Sequence, residues 1–254
     1  MAMDALDTQQ EIDRIVQFLN ETFEKTQKSQ AIVAISGGID SALSLSLVAK
    51  AMPPHQIHPL FLPYNGQSIE DSKLIASWNK IPEENWETLT IDPVVTALET
   101  FLSTDASDQL RKGNVMARVR MIAVYDRAKK WDALVCGTEN KSEHYLGYFT
   151  RFGDAASDIE PIAHLYKTQV RELVGFLNLP QQFLQKAPSA GLWSNQTDEQ
   201  EMGFSYEDAD QVIAYYLKEQ PQPHLPKETI EKILAAIGRN AFKRVVPYTL
   251  ATLL

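Results

Sequence analysis

The sequence predicts an α/β fold in which a doubly wound, mainly parallel sheet carries helices on both faces. Short apolar runs alternate with segments of helical period along the 254 residues, which is the pattern of parallel crossovers. The run from Ala31 to Ile35 contains no polar residue, as a short strand that is buried on both faces requires. Two glycines and a helical pattern follow directly, so the first strand feeds a helix through a tight turn.

The other elements follow from the spacing of apolar residues and from the residues that interrupt it. We predict strands at residues 31–35, 57–62, 86–91 and 131–137, and helices at residues 9–28, 40–51, 68–78, 108–130, 166–179, 205–219 and 226–242. A further helix begins at Asp92-Pro93, with Asp92 as its cap. Residues 147–158 are predicted to form an ordered loop, residues 181–192 a connector and residues 193–201 a polar flap. Because no internal repeat is present, we expect one domain over residues 1–254.

The composition argues against several classes of function. A formal net charge of −9 is unfavourable for a nucleic-acid surface, which needs clustered positive charge. No apolar stretch approaches the length of a membrane span and no signal sequence is evident, so we expect a soluble cytoplasmic protein. The single Cys136 excludes an internal disulfide and a cysteine-rich metal site. Its apolar neighbours indicate a buried strand residue rather than a nucleophile.

The turn between the first strand and its helix carries the most specific motif in the chain. The motif reads Ser36-Gly37-Gly38-Ile39-Asp40-Ser41. Glycines at this position leave backbone N–H groups free at the positive end of a helix, which suits a phosphate. Asp40 fits such a site if a Mg²⁺ ion lies between its carboxylate and the phosphate oxygens. The alternative is a purely structural turn, in which the glycines only permit positive φ.

A second strand end repeats this arrangement with different residues. Gly137 ends an apolar run and is followed by Thr138 and Glu139, with Glu143 shortly afterwards. Because ligands in open α/β sheets lie beyond the carboxyl ends of the strands, we expect a second binding loop here. On the helix at residues 108–130, Arg118 and its basic neighbours would give a positive patch for a phosphate-bearing substrate. A solvated helix face is the other interpretation.

The glycine motif resembles the pyrophosphate loop of the PP-loop ATP-pyrophosphatase superfamily, and the chain as a whole resembles the bacterial ammonia-dependent NAD synthetases. The resemblance covers nearly the whole chain as an ordered series. The series comprises residues 36–41, 112–120, 137–143, 147–154, 167–168, 186–192, 196–199 and 242–244. It implies a Rossmann-like, adenine nucleotide alpha hydrolase-like fold. The activity that it implies is ATP-dependent amidation of deamido-NAD with ammonia, giving NAD, AMP and pyrophosphate through an adenylated nicotinate.

The resemblance also implies the roles of individual residues. Beyond the motif at residues 36–41, it places ATP on Thr138, Lys167 and Ser189, and Mg²⁺ on Asp40 and Glu143. It places deamido-NAD on Arg118, Arg151, Asp158, Phe242 and Lys243. The residues that we expect to carry the chemistry are Asp40, Glu143, Lys167 and Asp158. Either Asp154 or Asp158 is the base expected to deprotonate the incoming ammonium.

Three positions depart from the family pattern. Arg151 stands where Lys is usual, which keeps the charge and changes its geometry. Phe242 stands where many members have His, which removes a donor and favours stacking or packing. Ser189 replaces Thr and keeps the hydroxyl.

The resemblance implies ammonia as the nitrogen donor and a homodimer as the assembly. A glutamine-using synthetase would need a glutaminase domain with a nucleophilic cysteine, for which we see neither room nor thiol. The helix at residues 108–130 is the candidate dimer interface, although an ordinary core helix explains its apolar stripe equally well. Two rival functions are a PP-loop enzyme that modifies a purine, deazapurine or tRNA, and an adenine-nucleotide sensor without catalytic activity. The sensor would not need a second carboxylate such as Glu143.

Overall fold

The protein forms a four-stranded, entirely parallel sheet in the order β3-β2-β1-β4. The computed structural model describes residues 6–105, 107–189, 191 and 196–250. The helices are α1 (Thr8–Thr26), α2 (Ile39–Ala51), α3 (Glu70–Trp78), α4 (Asp92–Phe101), α5 (Gln109–Trp131), α6 (Lys141–Leu146), α7 (Lys167–Phe176), α8 (Gln182–Gln185), α9 (Asp198–Met202), α10 (Tyr206–Tyr216) and α11 (Lys227–Arg239). The strands are β1 (Gln30–Ala34), β2 (Ile57–Phe61), β3 (Glu87–Thr88) and β4 (Ala133–Cys136). Short 3₁₀ turns lie at Pro54–Gln56, Glu83–Asn85 and Ala241–Arg244.

The central strand β1 separates two apolar cores, as the period of two in a strand requires. Ala31 and Val33 pack on the face covered by α1, α2 and α7, whereas Ile32 packs on the face covered by α4 and α5. A third apolar cluster joins α6, α10 and α11 beyond the sheet, around Tyr206 and Ile233. The predicted fold, a parallel sheet with helices on both faces, is therefore confirmed.

The order of the strands reverses between β1 and β4. From β1 the chain moves outward through β2 to β3, and it then returns through α4 and α5 to β4 on the other side of β1. The Ser44 hydroxyl donates to the Gly137 carbonyl at 2.7 Å, so α2 is tied to the end of β4 at this point. Such a reversal is where open α/β sheets leave a crevice for a ligand.

Two local predictions are corrected by the structure. The strand predicted at residues 86–91 contains only Glu87 and Thr88. The Leu89 and Ile91 N–H groups still donate to the Phe61 and Pro63 carbonyls, but Pro63 has no N–H group with which to return a bond and extend the ladder. Asp92 is the first residue of α4 and Ile91 occupies the cap position. The Asp92 carboxylate accepts a hydrogen bond from the Asn65 N–H at 2.8 Å instead of capping its own helix.

The predicted connector and flap are more structured than expected. The connector contains α8, whose Phe183 packs in the core of α1, α2 and α7. Residues 193–195 of the predicted flap lie outside the described residues. The rest of it contains the start of α9, and Gln196 and Asp198 are buried. In the part of the chain that the structure describes, no helix has the length and apolar character that a membrane crossing requires.

We expect Ser44→Ala to destabilise the fold by about 1–3 kcal/mol, because the fully buried Ser44 gives the Gly137 carbonyl its hydroxyl partner. Thr22→Ala is the control, since this exposed hydroxyl donates only to Phe18 in its own helix, and we expect a change below about 0.5 kcal/mol. Chemical denaturation of both variants measures the difference. Equal losses of unfolding free energy in the two variants would contradict the coupling of α2 to β4.

Candidate active site

The glycine turn at residues 36–38 brings the end of β1 directly to the start of α2. Gly37 has φ +77°, and a Cβ atom there would lie 3.2 Å from the Cβ of Asp71 and 3.2 Å from the Ser72 hydroxyl. Glycine is therefore required both by the backbone conformation and by the close approach of α3. Gly38 occupies the cap position of α2 and provides no side-chain cap. The N–H groups of the first turn are consequently available to an anion.

The buried ammonium of Lys167 joins two carboxylates next to this turn. Lys167 is the first residue of α7, is 1% exposed, and donates to Asp40 Oδ2 at 2.6 Å and to Glu143 Oε1 at 3.0 Å. Asp40 belongs to the first turn of α2 and Glu143 to the first turn of α6. Three helix N-termini thus bring together three residues that the resemblance assigned to catalysis.

The electrostatics of this cluster follow from its burial. Desolvation raises the pKa of Glu143, the Lys167 ammonium acts against this shift, and the neighbouring Asp40 adds to it. Burial alone would lower the pKa of Lys167, but the charges of Asp40 and Glu143 raise the pKa of Lys167 above its usual value. The Tyr206 ring lies 5.0 Å from the ammonium and adds a cation–π contact. Lys167 therefore remains a cation although it is out of contact with water.

Asn140 connects the second strand end to the first. It is fully buried, its amide donates to Asp40 Oδ1 at 2.8 Å, and its side-chain oxygen accepts from the Glu143 N–H at 3.0 Å. It therefore caps α6 and orients Asp40 at the same time. Asn140 was not among the predicted site residues, although the Asn-x-x-Glu spacing is that of a capping box.

The carboxylate of Asp210 fixes the helices that carry Glu143 and Lys167. This fully buried residue of α10 accepts from the Ser142 hydroxyl of α6, and from the Thr168 N–H and hydroxyl of α7 at 2.9 and 2.8 Å. The Lys167 N–H in turn donates to the Ser142 hydroxyl at 2.8 Å. Burial raises the pKa of Asp210 to about 6. No motif or local pattern in the sequence marks Asp210.

A second group of predicted residues meets around the loop at residues 147–158. Arg118 of α5 donates to the Arg151 carbonyl at 3.2 Å. The Arg151 guanidinium lies over the rings of Phe152 and Phe242, at 5.2 and 5.4 Å from the ring centres. Lys243 donates to the carbonyls of residues 147 and 149 at 2.7 and 2.9 Å, and burial lowers the pKa of Lys243. Four of the five residues assigned to deamido-NAD thus form one cationic and aromatic surface, and the ring at position 242 stacks on a cation.

Asp158, the fifth of these residues, is exposed and also makes a hydrogen bond to the sheet. Its Oδ2 accepts from the Val135 N–H of β4 at 2.8 Å, which holds the end of the loop against the sheet. Asp154, the alternative base, accepts from the Thr150 N–H at 2.8 Å within the same loop. Both residues have exposed surface.

Thr138 and Ser189 are the other two residues that the resemblance assigns to ATP. Thr138 lies just after β4, and Ser189 lies in the connector. Thr138 follows Gly137 and is partly exposed. A Cβ atom on Gly137 would lie 1.9 Å from the Glu160 carboxylate, and burial raises the pKa of Glu160 to about 8. The Ser189 hydroxyl accepts from the Gly191 N–H at 3.0 Å, and the Gly191 carbonyl accepts from the Gln67 amide at 2.6 Å. The connector is thereby linked to the loop that follows β2.

The donor set suits Mg²⁺ better than a transition metal. No group of three histidine, cysteine or acidic side chains that could hold an ion occurs among the described residues. Asp40 and Glu143 instead provide two carboxylates beside the uncapped N-terminus of α2. Mg²⁺ is commonly bound by one or two carboxylates together with substrate phosphates and water, so these residues fit that ion.

A parallel sheet whose switch point carries an uncapped glycine turn is an architecture of nucleotide-binding α/β proteins. The model of the NAD synthase family matches residues 11–247, and this chain belongs to that family. It is 39% identical over 244 residues to the NH₃-dependent NAD⁺ synthetase of Fusobacterium nucleatum, covering 92% of this chain and 93% of that protein.

Solved structures show the same fold over nearly the whole chain. The NMN synthetase of Francisella tularensis superposes with a TM-score of 0.85 at 32% identity, covering 96% of this chain and 99% of that one. The NH₃-dependent NAD synthetase of Campylobacter jejuni, in complex with the nitrate ion, gives 0.82 at 27% identity, covering 97% and 100%. These likenesses confirm the predicted PP-loop, Rossmann-like fold and the family resemblance.

We expect Lys167→Met to lower the free energy of unfolding by about 3–5 kcal/mol, because it leaves two carboxylates facing each other without their cation. Replacing the carboxylates as well, by Asp40→Asn and Glu143→Gln, should recover most of the loss. Lys227→Met is the matched control, since that side chain is 89% exposed. Equal stabilities of the Lys167 and Lys227 variants in denaturant titrations would refute the buried ion cluster.

Proposed function

We propose that this chain catalyses the ATP-dependent amidation of deamido-NAD with ammonia, giving NAD, AMP and pyrophosphate. Membership of the NAD synthase family and the names of its relatives support this function. The observation that carries it is the Lys167 ammonium held by Asp40 and Glu143 beside the glycine turn. A turn of this kind can hold a leaving pyrophosphate, and the buried cluster supplies fixed charges next to it.

In the first step the nicotinate carboxylate oxygen attacks the α-phosphorus of ATP. A new P–O bond forms, and the bond from the α-phosphorus to the oxygen that bridges to the β-phosphorus breaks. The N–H groups of the turn and the start of α2 bind the pyrophosphate as it gains charge. A carboxylate nucleophile needs no base, so the protein contributes mainly by positioning the two substrates.

We assign Mg²⁺ to Asp40 and Glu143. When bound, this ion would neutralise phosphate charge during the departure of pyrophosphate. Asn140 keeps the Asp40 carboxylate oriented, and Lys167 balances the two carboxylates. We assign ATP contacts to Thr138 and Ser189 as well, from their places at the end of β4 and in the connector.

In the second step ammonia attacks the carbonyl carbon of the adenylate. The C–N bond forms, the C–O bond to AMP breaks, and the nitrogen loses a proton. We assign the deprotonation of ammonium to Asp158, which ends the loop that carries Arg151 and has one oxygen fixed by the sheet. Arg118, Arg151, Phe242 and Lys243 bind deamido-NAD in our proposal, since cations suit its phosphates and rings suit its bases.

The buried state of Cys136 supports ammonia as the nitrogen donor. Glutaminase chemistry needs a nucleophilic thiolate, whereas Cys136 is buried in β4 and desolvation raises the pKa of its thiol. The reaction belongs in the cytoplasm in our proposal, where ATP is supplied.

We further propose a homodimer formed through α5. Leu110 and Ile122 on this helix are 63% and 59% exposed, and interaction surfaces contain exposed apolar side chains.

A second candidate acceptor is nicotinate mononucleotide, because the Francisella tularensis structure that superposes over nearly the whole chain is an NMN synthetase. The contacts of Arg151 with Phe152 and Phe242 offer one half-buried cation beside two rings, which suffices for a single phosphate. The ratio of kcat/KM for the two acceptors decides between them. A higher value for deamido-NAD supports the dinucleotide, and a higher value for the mononucleotide supports the alternative.

With ATP, Mg²⁺, ammonia and deamido-NAD, we expect one NAD, one AMP and one pyrophosphate for each ATP consumed. Asp40→Ala should lower this turnover by more than about 100-fold, because it removes a carboxylate from the metal site. The control is Asp13→Ala, an exposed acidic residue of α1. Chromatographic quantitation of all three products tests the proposal. A rate of pyrophosphate release that is the same with and without deamido-NAD would contradict it.

Arg118→Ala should raise KM for deamido-NAD by about tenfold, the size of one charge-assisted phosphate contact, while KM for ATP changes little. Arg111→Ala on the same helix is the control, since Arg111 pairs only weakly with Asp108 at 3.9 Å. Initial rates with each substrate varied in turn give both constants. An increase confined to the KM for ATP would reverse the assignment of Arg118.

A further inference from the structure

Lys186 lies in the connector immediately after α8 and contacts the glycine turn. Its ammonium lies 3.3 Å from the Gly37 carbonyl and 2.9 Å from Asp71 Oδ2. The side chain is 53% exposed, so the ammonium borders open solvent at the turn. The resemblance gives Lys186 no role, and sequence analysis singled it out only as part of the series at residues 186–192.

Among the described residues at the turn, Lys186 is a cation paired with a single carboxylate. Lys167 also lies at this turn, but its charge is already balanced by Asp40 and Glu143. A triphosphate carries several negative charges, and a cation within hydrogen-bond distance stabilises it more strongly than a neutral donor. Lysine suits this purpose because it is a point charge on a flexible stem.

Asp71 holds Lys186 at the turn through an exchangeable ion pair. The hydrogen bond from Lys186 lowers the pKa of Asp71, although burial acts in the opposite direction. Asp71 also accepts from the Gln182 amide at 2.8 Å and lies in the first turn of α3, whose dipole favours an anion. Asp71 therefore keeps two stabilising interactions when the ammonium of Lys186 turns away.

We propose that Lys186 binds the β- and γ-phosphates of ATP, and afterwards the pyrophosphate product, by exchanging Asp71 for phosphate oxygens. No covalent bond changes in this exchange. The inference rests on the proposed function only in that the turn at residues 36–38 receives the pyrophosphate. Asp71 acts as a competing anion, which keeps the lysine at the turn while the site is empty and weakens phosphate binding.

A merely structural role for the pair predicts a different pattern of mutations. If the ion pair only anchored the connector to α3, loss of either partner would disturb the turn equally. In the exchange that we propose, the two partners act in opposite directions, because one binds the phosphates and the other competes with them. Asp71→Asn and Lys186→Gln therefore separate the two roles.

The experiment measures binding of inorganic pyrophosphate with Mg²⁺ to the full chain by calorimetry, without deamido-NAD. We expect Lys186→Gln to weaken binding by roughly tenfold, Lys186→Arg to restore most of it, and Asp71→Asn to bind at least as tightly as the unmodified chain. Lys227→Gln is the control lysine, being 89% exposed. Unfolding curves for each variant show that the fold is kept.

Weaker binding in both Lys186→Gln and Asp71→Asn, or no change in Lys186→Gln, would overturn the inference. These outcomes are distinct from failure of the proposed function. If the unmodified chain bound no pyrophosphate at all, the turn itself would lose its assignment. If pyrophosphate bound as expected but no NAD were formed, the role of Lys186 would stand and the proposed reaction would fall.

Discussion

The ion cluster of Lys167, Asp40 and Glu143 is the interaction on which the rest of the site depends. Each member comes from the N-terminus of a different helix, so the cluster fixes α2, α6 and α7 relative to one another. A buried ammonium is tolerated only because two carboxylates face it, and two carboxylates can lie so close only because the ammonium lies between them. Asn140 then holds the Asp40 carboxylate through a side-chain hydrogen bond, and Asp210 holds the start of α7. The stability of this part of the protein and its chemistry therefore rest on the same contacts.

The parallel sheet explains why these helices meet. Strand order reverses between β1 and β4, so the loops that leave these two strands diverge above a shared crevice. The glycine turn after β1 and the Asn140 cap after β4 lie on the two sides of that crevice. The Ser44 hydroxyl of α2 joins the two sides by donating to the Gly137 carbonyl. From there α6 leads directly to the loop at residues 147–158, where Arg118, Arg151 and Phe242 gather. A short helix thus connects the proposed pyrophosphate site to the proposed acceptor site.

The sequence alone predicts the features that are local in the chain. The glycine motif, the strand before it and the long helix α5 follow from period and turn chemistry, and all are confirmed. The predicted length of β3 was wrong because the ladder depends on Pro63, just beyond β2, which the local pattern of residues 86–91 does not contain. Lys167 and Asp40 are separated by 127 positions, so only the resemblance, and not spacing, placed them in one site. Asp210 was missed because its role arises from the packing of α10 over α6 and α7.

A crystal structure of the chain with Mg²⁺, deamido-NAD and an ATP analogue that cannot be cleaved between its α- and β-phosphates tests the central claim most directly. The account predicts the β- and γ-phosphates on the N–H groups at the start of α2, with the metal touching Asp40 and Glu143 and the Lys167 ammonium still beside both carboxylates. Phosphates bound at the end of β2 or β3, with the Lys167 cluster facing no ligand, would contradict it.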